Sequence, residues 1–352
     1  MRKGLPYVLL AIMLVMAACE KKSPPSYTPP DASADRRAYE QLMPPVDAPE
    51  VNPENIPVKN LAAFNFAGIH FRNVLGWWYF NAHTLDTEGR RWSFMFAILS
   101  DNQFYGMLYS PDDDVFIPYY KETDTEVDRK ALSASSKGVA TIRQLERGRL
   151  DYEFELEGEP AQMKLRLTAI QPPIAVSGDG TISMGETGRS EYYLIPAMRV
   201  DGSVAVGDKR RVLHGLGWMD HQWGLWNYGK LRSWHWFSIH LTDGTKAMVF
   251  AFVRKDNTMH VDCDAVLPDG THRPSLSCTA QTLSEWKSEA TGRRRATVWR
   301  IDISELDASL TVTADRENME VNETIYEGGA FVSGTRGGKK IEGRAFYEES
   351  QI

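Results

Sequence analysis

Apolar and polar residues alternate with period two through nearly every informative stretch of this chain, the spacing of a half-buried strand. Trp92, Phe94, Phe96 and Ile98 share one parity, as do Tyr152, Phe154 and Leu156, and Leu165 and Leu167 further on. Turn signals recur at strand spacing: Gly178-Asp179-Gly180, Asp201-Gly202, Asp243-Gly244 and Asp269-Gly270, pairs that supply the conformations a tight hairpin needs. Long amphipathic helix patterns are missing, and only Asp128 to Ala134 reads as a short helix. The predicted fold class is all-β.

A faint repeat runs through the pattern. Trp78-Tyr79-Phe80-Asn81-Ala82-His83-Thr84-Leu85-Asp86 matches His235-Trp236-Phe237-Ser238-Ile239-His240-Leu241-Thr242-Asp243 at an aromatic pair, a His and an Asp. Both segments pass through a Gly turn into an apolar strand, Trp92 to Leu99 in one case and Ala247 to Val253 in the other. Hairpin-for-hairpin agreement predicts a duplicated β-domain. Its halves are placed at 61–204 and 205–352, with the boundary near Asp201 to Asp208.

The first residues depart from this pattern. Arg2 and Lys3 precede an apolar run, Leu5 to Met16, too short for a comfortable membrane span, which reads as a secretion signal over 1–18. Val15-Met16-Ala17-Ala18-Cys19 resembles a bacterial lipobox, which implies lipidation of Cys19; the alternative is an ordinary signal with a chance cysteine. Glu20 rather than Asp follows Cys19, which favours the periplasmic face of the outer membrane. Residues 19–60 are rich in Pro, Ser, Asp and Glu and read as a disordered tether.

A net charge of −7 without basic clusters argues against nucleic acid as a partner and against an electrostatic membrane patch. Beyond Cys19 there are two cysteines, Cys263 and Cys278, flanking the turn signal Leu267-Pro268-Asp269-Gly270-Thr271. In an oxidising periplasm they are expected to form a disulfide, stabilising by roughly 3 kcal/mol through loop closure. Two buried free thiols are the alternative.

Five of the ten tryptophans lie between Leu213 and His240, around Gly217-Trp218-Met219-Asp220-His221-Gln222-Trp223-Gly224 and Trp234-His235-Trp236-Phe237. Indoles so dense need a shared cavity or a thick core, and a carboxyl among them is pushed toward its neutral form by desolvation. On a strand, Val212, His214, Leu216, Trp218 and Asp220 share one face, and Trp234, Trp236, Ser238 and His240 share another. Two such strands would wall a site for an apolar ligand. The same residues also permit a structural reading, with Asp220 capping a turn, His221 hydrogen-bonded and the tryptophans filling a core. His214, His221, His235 and His240 fall on different faces by parity, which argues against a metal site. Serine-hydrolase elbows and phosphate-binding glycine loops are missing.

Gly76-Trp77-Trp78-Tyr79-Phe80, Tyr192-Tyr193-Leu194, Gly217 to Gly224, Trp236-Phe237 and Tyr326-Glu327-Gly328 occur in the order found in the carotenoid 1,2-hydratase (hydroxyneurosporene synthase) and AttH-like group. The chain resembles that group over roughly residues 65 to 348. The resemblance implies two lipocalin-like β-barrel or sandwich domains with an apolar ligand pocket between or within them. The family's Tyr-Trp-Glu-Gly stands here as Ile325-Tyr326-Glu327-Gly328, a departure that puts the family substrate in doubt.

Hydratase members add water to an isolated isoprenoid alkene with no cofactor. By resemblance Asp220 is the proton donor, and His221 or His214 orients the water or takes its proton. Trp218, Trp223 and Trp236 face the cation, Tyr79 and Tyr193 donate hydrogen bonds, and Trp78, Trp234 and Tyr326 complete the ligand wall. AttH-like proteins resemble products encoded beside transport permeases. The alternative function is therefore a non-catalytic lipid-binding accessory of an ABC-type export system.

Overall fold

The structure, a computed structural model, describes residues 27–52, 75–127, 133–146, 149–183 and 187–352. The leader and Cys19 lie outside the described residues, as does part of the region read as a helix at 128–134, of which Ser133 and Ala134 open a strand.

Alternation translates into two curled antiparallel sheets. The first opens with β1 (Leu75–Asp86), β2 (Arg91–Leu99), β3 (Gln103–Ser110) and β4 (Val115–Glu122). Shorter strands follow: β5 (Thr125–Val127), β6 (Ser133–Ser136), β7 (Ala140–Gln144), β8 (Asp151–Leu156) and β9 (Ala161–Ala169). After the minor β10 (Ile174–Ala175) and β11 (Thr181–Ser183), it closes with the long hairpin β12 (Gly188–Val206) and β13 (Lys209–Trp226).

The second sheet contains β14 (Leu231–Leu241), β15 (Lys246–Arg254), β16 (Met259–Val266), β17 (His272–Arg273) and β18 (Cys278–Lys287). It continues with β19 (Arg294–Ile303), β20 (Ala308–Ala314), β21 (Ile325–Arg336) and β22 (Lys339–Gln351). In both sheets the first strand pairs with the last, β1 with β13 and β14 with β22, and also with the strand that follows it. The repeat in the sequence is thus a repeat of topology.

Three expectations need correction. The boundary placed at 204/205 falls at the tip of the β12–β13 hairpin, where Val206 pairs with Lys209. The chain leaves the first sheet only after Trp226 and enters the second at Leu231. The Asp201-Gly202 pair read as a turn lies inside β12, paired with His214 and Leu213, and the chain turns at Gly207-Asp208 instead.

The tether is ordered in part. Residues Ala32–Leu42 form a helix, α1, whose N-cap Asp31 accepts a hydrogen bond from the Ala34 amide at 2.8 Å. Asp35, Ala38, Tyr39 and Leu42 make its buried stripe, at the i, i+3, i+4, i+7 spacing that a polar composition had masked. Asp35 accepts from Arg91 of β2 at 2.8 Å and from Arg344 of β22, and Arg344 lies over the Tyr39 ring. One carboxylate therefore ties the two sheets together. Gly329 makes room for this cluster, since a Cβ there would stand 2.4 Å from Asp315 Oδ2 and 2.8 Å from Arg344 Nη2.

Cys263 and Cys278 are free thiols. β16 pairs with β17 and β15, whereas Cys278 opens β18 at the far edge of the sheet. Curling brings that edge against Cys263. The sulfurs meet as hydrogen-bonded thiols, an interaction that raises the Cys263 pKa, rather than as a disulfide across a hairpin.

Most apolar side chains fall into two barrel interiors and a third cluster between the sheets, with a small fourth joining Leu42 to Ala197 and Leu216. Tyr79, Tyr105, Tyr192, Trp218, Trp234, Trp236 and Phe346 belong to this third cluster. The seam between the sheets is therefore lined by buried aromatic and aliphatic side chains.

Candidate active site

β13 faces two ways. Its odd residues, Met219 and Trp223 among them, point into the first barrel, whereas Trp218 and Asp220 point into the seam. Opposite stands the matching face of β14, bearing Trp234, Trp236, Ser238 and His240. Trp218 meets Trp236 edge to face at 6.2 Å, and Tyr79 meets Trp236 at 5.0 Å.

The Asp220 carboxyl is 3% exposed. Trp218 Nε1 donates to its Oδ1 at 2.5 Å, and the Tyr192 hydroxyl donates to Oδ2 while accepting from Trp236 Nε1 at 3.0 Å. All of these partners are neutral. Burial pushes the carboxyl up to about 8 against the pull of the Tyr192 and Trp218 hydrogen bonds, and the nearby Glu348 pushes it further. At neutral pH this acid holds its proton.

Two more carboxyls share the seam. Glu327 and Glu348 stand opposite each other on β21 and β22, and both are buried. Glu348 accepts from Trp234 Nε1 at 2.5 Å and from the Tyr105 hydroxyl at 3.3 Å, and Glu327 accepts from the Tyr79 hydroxyl. Desolvation raises both pKa values; in Glu327, held well above the usual carboxylate range, Glu348 and then Asp220 add to the effect. The interaction between the two carboxyls raises the Glu327 pKa and lowers that of Glu348.

The repeat explains the arrangement. Tyr79 pairs with Asp220 across β1–β13, and Trp236 pairs with Glu348 across β14–β22. Because Tyr79 and Trp236 are matching positions of the repeat, Asp220 and Glu348 are matching acids. Asn81 and Ser238 also match, and Asn81 Nδ2 donates to Ser238 Oγ across the seam at 3.0 Å. His83 and His240 match as well, and both are buried. Desolvation holds His83 well below its ordinary value and brings His240 to about 3.

His240 Nε2 donates to the Pro196 carbonyl at 2.8 Å. Pro196 lies where the β12–β13 register shifts between Ile195 and Met198. A proline cannot donate to the ladder, so it sits at a bulge, and its carbonyl turns toward the second sheet.

The other residues singled out from the sequence lie elsewhere. His221 stacks on Trp78 at 4.8 Å, contacts Tyr193 and Trp223, and bonds the Trp77 carbonyl through Nδ1 at 2.8 Å. All four rings therefore belong to the first barrel, on the face of the sheet away from Asp220, as period two requires. His214 shares Asp220's parity but sits near the other end of β13. There its Nδ1 meets Asp201 at 2.7 Å and its Nε2 the Pro44 carbonyl at 2.8 Å. Tyr326 is buried in the second barrel, donating to the Glu317 carbonyl at 2.8 Å.

The expectation that a histidine assists Asp220 is therefore corrected. The groups beside it are Tyr192, Glu327 and Glu348, of which Tyr192 and Glu327 had appeared only as parts of family motifs. Glu348 carried a signal in the repeat, which becomes readable once the pairing register is known.

This architecture has known counterparts. A putative AttH from Nitrosomonas europaea superposes with a TM-score of 0.68 at 17% identity, covering 88% of this chain and 98% of that one. Kievitone hydratase from Nectria haematococca gives 0.68 at 18%, covering 88% and 95%. In sequence, the dehydratase asqC of Emericella nidulans is 25% identical over 172 residues, 43% of this chain and 45% of that protein. The chain thus spans under half the length of that curated relative. The AttH-like family matches residues 121–348, from the fourth strand of the first sheet to Glu348 itself, and this chain belongs to it.

Proposed function

We propose that this protein is a cofactor-free acid–base lyase that adds water to, or removes it from, a carbon–carbon double bond of a hydrophobic, isoprenoid- or lipid-like substrate. The observation that carries this reading is the Asp220 carboxyl. It is buried among indoles, bonded only by neutral donors and pushed up to about 8. The hydration and dehydration named for the relatives agree with it.

In the hydration direction Asp220 gives its proton to one alkene carbon, and the carboxylate left behind faces the resulting carbocation. Trp218 and Trp236 wall this space, each cation–π contact offering about 2 kcal/mol when desolvated. Water attacks the cation, and the proton it sheds goes to the Glu327–Glu348 pair, which holds one proton and has room for another. Return of a proton from that pair to Asp220 resets the site. Tyr192, kept neutral by burial, bonds Asp220 in both protonation states. Dehydration runs the same steps backward.

We further propose that the protein works in the cell envelope, tethered through lipid on Cys19.

Incubation with linear isoprenoid alkenes and prenylated phenols in isotope-labelled water tests the reaction. The expected result is a tertiary alcohol carrying label on oxygen and on the adjacent carbon, formed by the wild type and not by Asp220→Asn. Binding without label in either position would overturn catalysis and leave a carrier, the role of an export accessory.

A further inference from the structure

A cavity of about 420 Å³ opens at one end of the second sheet, away from the seam. The starts of β14, β16 and β19 and the ends of β15 and β22 surround it. Its volume falls in the range of small-molecule sites. Trp299 and His235 lie in its wall, with Ser233 and Glu349 beside them and Arg232 and Arg293 at the rim.

The inner end presents a hydrogen-bond acceptor. Tyr347 donates its hydroxyl proton to Glu349 Oε2 at 2.9 Å, so it accepts from His235 Nδ1 at 3.1 Å. Burial keeps the imidazole neutral, which leaves Nε2 without a proton. Its protein neighbour is the Ser233 hydroxyl at 3.4 Å, a long contact. Glu349 and Glu320 share the fully buried Arg295, at 3.6 and 3.0 Å, so the inner wall is net negative.

The rim is not. Arg294 faces Glu285 at 3.6 Å, but Arg232 is held by the Asn257 side-chain oxygen and Arg293 by that of Gln351 at 3.1 Å. Amide oxygens orient a guanidinium without neutralising it. Two net positive forks therefore stand over a partly apolar wall with an acceptor behind it.

We infer that this end of the second barrel is a separate binding site for a small hydroxylated aromatic carboxylate. The hydroxyl donates to His235 Nε2 and accepts from Ser233, the ring lies against Val253 and Met259, and the carboxylate meets Arg232 and Arg293. The site does not depend on the chemistry proposed for Asp220.

Calorimetric titration of the full chain with para-hydroxybenzoate tests the inference. One saturable site is expected, with benzoate and para-hydroxybenzyl alcohol each binding about tenfold more weakly for want of one polar contact. The double variant Arg232→Gln/Arg293→Gln, at the rim, should weaken the hydroxybenzoate by tenfold or more. His235→Phe should erase the preference for hydroxybenzoate over benzoate, and Asp220→Asn should leave the titration unchanged. No saturable binding at millimolar probe, binding indifferent to the arginine pair, or binding lost with Asp220→Asn would each overturn the assignment.

Discussion

The two halves of the molecule place an acid at the same position and then treat it differently. Asp220 of the first half lies opposite Leu194 on β12, whereas Glu348 of the second lies opposite Glu327 on β21. An apolar cross-strand neighbour leaves the first acid alone with its proton. A carboxyl neighbour makes the second a proton-sharing pair, because two buried carboxylates so close cannot both ionise. The repeat supplies the symmetry, and one cross-strand residue distinguishes the two acids, as the proposed donor and acceptor roles require.

Removing the lone acid should have the largest effect. Asp220→Asn keeps an acceptor for Trp218 but has no proton to give, so turnover should fall by about 10²–10⁴-fold. Its melting temperature should stay close to the wild type's, because the native carboxyl is already neutral. Unfolding of the variant would assign Asp220 to structure instead.

Next comes the clamp that holds the halves in register. Asp35→Asn removes the charge shared by Arg91 and Arg344, which keep Asp112 and Asp315, and should cost about 1–3 kcal/mol in denaturant unfolding. A loss below 1 kcal/mol would mean that the helix merely rests on the seam.

Making the halves alike sharpens the comparison. Glu327→Leu copies the arrangement around Asp220 and removes the hydrogen bond that favours the Glu348 carboxylate. The Glu348 pKa should rise and the acidic limb of the pH–rate profile should move upward. An unchanged limb would exclude the pair as proton acceptor. Tyr79 loses its acceptor in the same variant, with a stability cost of about 1–3 kcal/mol.

The matching histidines give a smaller effect, visible in stability against pH. Both have folded values below the unfolded one, His240 at about 3, so the fold favours the neutral rings. Their contribution is complete above about 6.5 and is lost as the pH falls through that value toward 3. His240→Phe should flatten this acid-side loss of melting temperature. Smaller still, Trp236→Phe removes one donor to Tyr192 and should slow turnover less than tenfold.

Much of this was legible in the sequence. Period two set the strands, Asp243-Gly244 and Asp269-Gly270 marked turns while Asp201-Gly202 did not, and parity put Trp218 and Asp220 together across from Trp234 and Trp236. Grouping Trp223 and His221 with them ignored that same parity. The polar stretch before the barrels concealed the helical stripe of Asp35, Ala38, Tyr39 and Leu42, because its apolar content is low and its two salt-bridge partners lie far along the chain. Glu348 precedes another glutamate, Glu349, and composition alone does not separate the two. Only the β14–β22 register reveals that one of the two faces the seam, while Glu349 enters the barrel.

The most direct test is the protonation state of Asp220. Infrared difference spectra between wild type and Asp220→Asn isolate this carboxyl from Glu327 and Glu348. A protonated carboxyl band should be present at neutral pH and disappear with a midpoint at about 8. A band absent at neutral pH, or one titrating near the ordinary aspartate value of about 4, would contradict the account.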